Sequence, residues 1–193
     1  MIGVLLFGAG CLCALSWASV QADVPEQSEL PCSEPDRLPL APVTLVLVAA
    51  DDSALSQRID EATGGLGFSH CFLDVGHRMP DGERVIVDYQ PGAGVHYAHA
   101  SAYGSRGRAS IRLRGDVGQQ VYGCVRSRIG QPFDAAGLAM GRTTIATCAG
   151  LVWGCLPPAI RCSMGAPGRP ISPNDYAAHF GVAVGDSIDW EAT

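Results

Sequence analysis

The chain has 193 residues, 47% of them hydrophobic and 17% charged, which is the length of one domain and too apolar a composition for a disordered polymer. Thirteen basic residues, all Arg, against nineteen acidic ones leave a net charge of −6, which argues against a protein that wraps nucleic-acid phosphates. Eight cysteines remain to be explained, because they stay thiols or metal ligands in a reducing compartment but can pair after export.

Residues 1–22 carry no charged side chain, and Ile2 to Trp17 is almost wholly apolar. The run is shorter than the roughly twenty apolar residues of a spanning helix. It ends in Val20-Gln21-Ala22, a small-x-small pattern, and so reads as a signal peptide cut after Ala22. The expected location is periplasmic or secreted. Gly8-Ala9-Gly10-Cys11 offers a minority alternative, lipid anchoring at Cys11, with peripheral membrane or cell-envelope association. Removing the leader takes Cys11 and Cys13 with it. Residues 23–42, rich in Pro, Glu and Ser, read as an extended lead-in, and 43–193 as the domain.

Val43 to Val48 is a β-branched apolar run of strand length. Residues 51–64 suggest a short helix, with Leu55, Ile59 and Ala62 at helical spacing and Gly64-Gly65 at its end. Gly64 to Gly67 leads into a strand, not a helix, so it reads as a turn and not a phosphate cradle. Phe68 to Val75 and Arg84 to Tyr89, joined by a loop containing Pro80-Asp81-Gly82, form a hairpin pattern. Ala109 to Leu113 alternates apolar residues with Arg and predicts a half-exposed strand. Arg106, Arg108, Arg112 and Arg114 then read as a solvated strand edge. Helices are expected over Val117 to Ile129, Cys148 to Leu156 (stopped by Pro157-Pro158) and Asn174 to Phe180 (capped by Ser172 or Asn174). Early strands and late helices make the fold α+β.

Cys148 falls at the expected first turn of a helix, where converging backbone N–H groups and the positive dipole end favour thiolate over thiol. A nucleophilic Cys also needs a base. His70 on the first hairpin strand is the candidate, and strand alternation puts it on one face with Phe68 and Phe72, with Cys71 and Leu73 on the other. Asp88, the one carboxylate in Val85 to Tyr89, is the candidate that orients the imidazole, near-opposite His70 in a register the sequence does not fix. The backbone N–H of Cys148 is the natural oxyanion donor. His77 reads as a solvated hairpin-loop residue, and His96 and His99 fall in an irregular stretch. His179, on a short helix, is a poor alternative base. No close-paired Cys or His spacing suggests a metal site, and no cofactor is implied. Cys155 lies about 10 Å along the helix from Cys148, beyond disulfide reach. Cys155 with Cys162, or Cys32 with Cys124 or Cys162, are the pairings to be expected.

Taken together and in order, these motifs resemble those of the circularly permuted papain-like cysteine hydrolases, in particular the YiiX/YaeF-like amidase branch of the NlpC-type superfamily. Phe68-Ser69-His70 resembles the histidine motif. Val85-Ile86-Val87-Asp88 followed by Gly92 to Val95 resembles the second strand, where the family usually carries Glu in place of Asp88. Ile129 to Asp134 resembles the approach to the nucleophile, Cys148 to Trp153 the nucleophile motif, and Ile171 to Asp175 a later helix start. Thr147 and Ala149 depart from the family pattern on either side of Cys148. His70 precedes Cys148, as permutation requires. The resemblance implies a permuted papain-like fold, an antiparallel sheet packed against helices with the nucleophile at a helix N-terminus. It implies amide hydrolysis by Cys148, His70 and Asp88, on a peptide, cell-wall or N-acyl substrate. A lipid thioesterase, esterase or acyltransferase on the same fold is the alternative. A non-catalytic module with all mature cysteines paired is the alternative from another class.

Overall fold

Val43–Ala49 forms the first strand, β1, and its sequence is apolar throughout because both of its faces are covered. Val43, Leu45 and Leu47 enter the main core, while Val46 and Val48 enter a second, smaller cluster on the opposite face. The computed structural model describes residues 42–113, 115–134, 147–165 and 170–190. The expected leader, the lead-in up to residue 41, Cys11, Cys13, Cys32 and Arg114 lie outside them.

After β1 come α1 (Ala54–Ala62), β2 (Phe68–Arg78), β3 (Arg84–Gln90), β4 (Gly94–His99), a 3-10 turn (Ala100–Tyr103) and β5 (Arg108–Leu113). The later part is mainly helical: α2 (Gly115–Arg126), α3 (Cys148–Cys155), α4 (Pro158–Met164) and α5 (Pro173–Phe180), then β6 (Ser187–Trp190). The strands make one open six-stranded sheet in the order β4-β3-β2-β1-β5-β6. Every pairing is antiparallel except β5 with β6. Among the described residues the protein is therefore α+β, a mostly antiparallel sheet with five helices packed on it. No helix among these residues is long and apolar enough to cross a membrane.

Local chemistry sets the element ends. Ser53 caps α1 by accepting from the Ser56 amide. Ser172 and Asp175 form a reciprocal capping box at the start of α5, with Pro173 inside the first turn, so Ser172 and not Asn174 is the cap. Asn174, fully buried, accepts from the Phe68 amide and donates to Asp60 and Thr63, which ties α5 to the start of β2 and the end of α1.

Several expectations are corrected. His96 and His99 belong to a regular strand, β4, paired along β3 from Gln90–Gly94 to Val85–His99. His77 lies within β2, which runs on to Arg78, and not in the hairpin loop. Pro157-Pro158 ends one helix but also begins the next, because Pro at N1 gives up an amide that has no helical acceptor. Phe68 does not share a face with His70 and Phe72. The β1–β2 register shifts between Val48 and Ala49, opposite His70 and Phe68, and this bulge turns Phe68 into the main core beside Cys71. The disulfide joins Cys124 on α2 to Cys155 on α3. Cys155–Cys162 and Cys124–Cys32 are thus excluded, and Cys162 is a free, exposed thiol.

The arginine run is a structural feature. Arg106 donates to the Ala49 carbonyl and to Ser69 Oγ (3.0 Å), Arg108 to the Ala100 and Gly104 carbonyls, and Arg112 pairs with Asp189 on β6.

Candidate functional site

The β2–β3 ladder runs from Arg78–Arg84 to Leu73–Val87, while β1–β2 continues to Phe68 and β3–β4 to Gln90. Continuing the register places Asp88 across from Phe72, so His70 is its diagonal neighbour on the same face, within reach of a long or aromatic side chain. The His70 ring spans that distance, and its Nε2 lies 2.8 Å from Asp88 Oδ1. Ser69, at the bulge, is held by Ser56 Oγ (2.6 Å) and by Arg106, which fixes the backbone immediately before His70.

Asp88 is buried, and each carboxylate oxygen is occupied. Oδ1 accepts from His70 Nε2 and from the Tyr89 amide (2.7 Å). Oδ2 accepts from Gln90 Nε2 (2.6 Å) and from the Tyr103 hydroxyl. Tyr103 also sits 2.6 Å from His70 Nε2 and stacks on the ring at a centroid distance of 5.0 Å and 20°. Burial alone would raise the Asp88 pKa. The hydrogen bond and charge of His70, then Tyr103 and the Tyr89 amide, outweigh burial and hold the carboxyl below its ordinary value. Tyr103 is pushed well above the ordinary phenol range by burial and by the Asp88 charge, so it keeps its proton and serves Asp88 as a donor.

Cys148 comes to this group from the other side of the sheet. Thr147 caps α3, accepting from the Gly150 amide (2.8 Å) and donating to the Ile171 carbonyl (2.9 Å). Tyr176 of α5 donates to the Ala149 carbonyl (2.9 Å), which locks the first turn in place. The thiol titrates well below the ordinary range. The Cys71 thiol, as donor to the Cys148 sulfur, is the largest cause; burial opposes it, and the charge of His70 adds to the lowering. The reverse holds for His70: burial would lower its pKa, but the negative charges of Cys148 and Asp88 push it up to about 10. With Nε2 facing Asp88 and Tyr103, Nδ1 is the nitrogen left for the thiol. Burial, and next the adjacent Cys148 thiolate, push the Cys71 thiol well above its usual value, so it stays protonated.

His70 and Asp88 are thus in direct contact, and Cys148 and His70 each shift the other's titration. His96 instead bonds the Gly94 carbonyl, and His179 packs edge-on against Phe180 on α5. Sequence analysis misses Tyr103 and Gln90, and it gives Cys71 no role beyond its place on the strand face opposite His70. A Tyr in Ala100 to Gly104 carries no sequence signal of its role. Cys71 had one, since a Cys adjacent to the base on a strand is a candidate neighbour of any thiol docking on that strand's far face. Among the described residues no group of three or more His, Cys, Asp or Glu is placed to hold a metal ion.

The segment leading towards Cys148 is also anchored. Val95 and residues 130–131 exchange backbone hydrogen bonds, and Tyr89 Oη bridges the Pro132 carbonyl and the Asp134 amide. A Cβ on Gly94 would lie 2.3 Å from the Gln131 carbonyl oxygen, so only glycine permits this approach. Compared with protein families, curated proteins and solved structures, the chain finds no match.

Proposed function

We propose that this protein is a cysteine hydrolase of the permuted papain-like kind that cleaves an amide bond, its chain exported behind the leader at residues 1–22. The observation that carries the reading is His70 held between a buried, fully hydrogen-bonded Asp88 and a thiol at a helix N-terminus whose ionisation His70 favours. Cys148 attacks the substrate carbonyl carbon as a thiolate. The oxyanion that forms is stabilised by the Cys148 backbone N–H. Protonated His70 then gives its Nδ1 proton to the leaving amine nitrogen as the C–N bond breaks, leaving an acyl-enzyme. Water adds to the thioester carbon with loss of a proton to His70, and the carbon–sulfur bond breaks to restore the thiolate. Asp88 holds the imidazole orientation throughout. Cys71, Cys148 and Cys162 are free thiols, which favours an enzyme over a fully stapled binding module.

The test is hydrolysis of peptide, cell-wall stem-peptide, N-acyl and lipid-ester substrates by the wild-type protein and by Cys148→Ala. The expected result is turnover of an amide substrate that Cys148→Ala abolishes. Turnover confined to esters or thioesters would move the reading to lipid substrates. Any activity that Cys148→Ala leaves intact would sink the mechanism.

A further inference from the structure

His70 and Asp88 do not form an isolated pair. The Tyr103 hydroxyl touches His70 Nε2 (2.6 Å) and Asp88 Oδ2, and Gln90 Nε2 reaches both Tyr103 Oη (2.7 Å) and Asp88 Oδ2 (2.6 Å). Four polar groups thus close into one largely buried network, in which Tyr103, like Asp88, meets every other member. Its ring lies between those of His70 and Phe72, each 5.0 Å away and nearly parallel. It arrives from the 3-10 turn after β4, so a segment outside the hairpin fixes the plane of the imidazole.

The geometry points to Tyr103 as a positioning residue of the proposed active site: held by Gln90, it fixes the His70 ring with Nδ1 towards Cys148 and keeps Asp88 ionised. The donor roles allow one consistent assignment. Tyr103 has a single proton, and Asp88 offers only acceptors, so the hydroxyl donates to Asp88 Oδ2 and accepts from Gln90 Nε2 and His70 Nε2. An imidazole with its proton on Nε2 presents the other nitrogen to the thiol. Without the hydroxyl, a buried carboxylate has one donor fewer and His70 is free to turn about its stacking axis. Both effects weaken the imidazolium that favours the Cys148 thiolate. This inference rests on the reading of Cys148 and His70 as nucleophile and base.

The experiment follows alkylation of the Cys148-bearing peptide by iodoacetamide across pH in the full chain, with mass-spectrometric mapping separating it from other thiols. Wild type is expected to react at a pH well below that of an ordinary thiol. Tyr103→Phe retains the stacked ring and removes only the hydroxyl. It is expected to slow alkylation at pH 6 about tenfold, the scale of one hydrogen bond to a charged group, and to move the midpoint up by about one unit. His70→Ala is expected to move the midpoint up further than Tyr103→Phe does, while the Cys71 thiol still holds it below the ordinary thiol range. Ile86→Val, in the same small cluster but making none of the network's hydrogen bonds, lowers the melting temperature and leaves the midpoint in place. If Tyr103→Phe fails to fold, Gln90→Leu carries the test, with a smaller shift in the same direction. A Tyr103→Phe midpoint at or below the wild-type value, with His70→Ala shifted, overturns the role of Tyr103 alone. A His70→Ala midpoint equal to wild type overturns the underlying reading instead.

Discussion

The two faces of the sheet are built from the same strands for different ends. On the helix-covered face, alternate residues of β1, β2, β3 and β5 meet apolar positions of α2, α3, α4 and α5 in one continuous cluster. The opposite face has a small apolar patch of Val46, Val48, Phe72, Ile86, Ala100 and Tyr103, bordered by His70 and Asp88. Burying a charge is costly unless it is paired and hydrogen-bonded, and the second face meets that condition by giving Asp88 four donors. The large apolar core and the polar network proposed to serve Cys148 therefore lie on opposite sides of β2, while Cys148 itself packs against the core on the helix face.

Substitutions on the two faces should therefore have separable effects. The largest is expected for Asp88→Asn, which keeps the shape and removes the charge. Alkylation of Cys148 at pH 6 should fall by about 10²-fold or more, the range seen when the orienting carboxylate of a triad is neutralised. Unchanged kinetics would show that the second face plays no part in activating the thiol.

Leu47 and Val48 are consecutive, fully buried and on opposite faces, so they compare the two clusters directly. Leu47→Ala is expected to lower the unfolding free energy by about 3 kcal/mol and Val48→Ala by about 2 kcal/mol. Urea titration checks both.

The smallest effect is the pH dependence of stability from the Cys148–His70 pair. His70 has a raised folded pKa, so its contribution is complete below 6.5 and is lost as pH rises towards about 10. Cys148 has a lowered one, so its contribution is complete above 9.0 and is lost as pH falls through its folded value. Between 6.5 and 9.0 the two slopes cancel, because folded and unfolded chains each hold one proton on the pair. The stability difference between wild type and a His70→Gln/Cys148→Ser double variant is expected to form a plateau there and to decline on both sides. A steady slope across the window would mean that only one of the two groups is perturbed.

What the sequence made legible follows the same division. β2, β3, β5, α2 and α5 carry apolar periodicity and β1 and α3 continuous apolar runs, because all of them face the large core, and their positions agree with expectation to within a few residues. β4 and β6 lie at the edges of the sheet, half-exposed and short, so Gly94–His99 mixes polar with aromatic residues and Ser187–Trp190 is too brief to show a period. The 3-10 turn carries no periodic signal at all. Cys148, His70 and Asp88 stood out because each is an unusual residue type in its local pattern. Tyr103 and Gln90 are ordinary residues whose meaning lies in contacts made across strands. The bulge that displaced Phe68 was hidden for a related reason: a register shift is a property of two strands, and one strand's sequence does not carry it.

The strand order has a consequence for how the chain folds. β1 to β4 are neighbours in both sequence and sheet, so they can pair through short-range contacts. β5, α2 and α3 must return to β1 and β2 across longer closures, which form more slowly. The half that carries His70, Asp88, Gln90 and Tyr103 is therefore expected to gain amide-exchange protection first. Until α3 docks, Cys148 lacks the Cys71 and His70 neighbours that lower its pKa, so its titration during refolding would report the docking of the late half onto the early one.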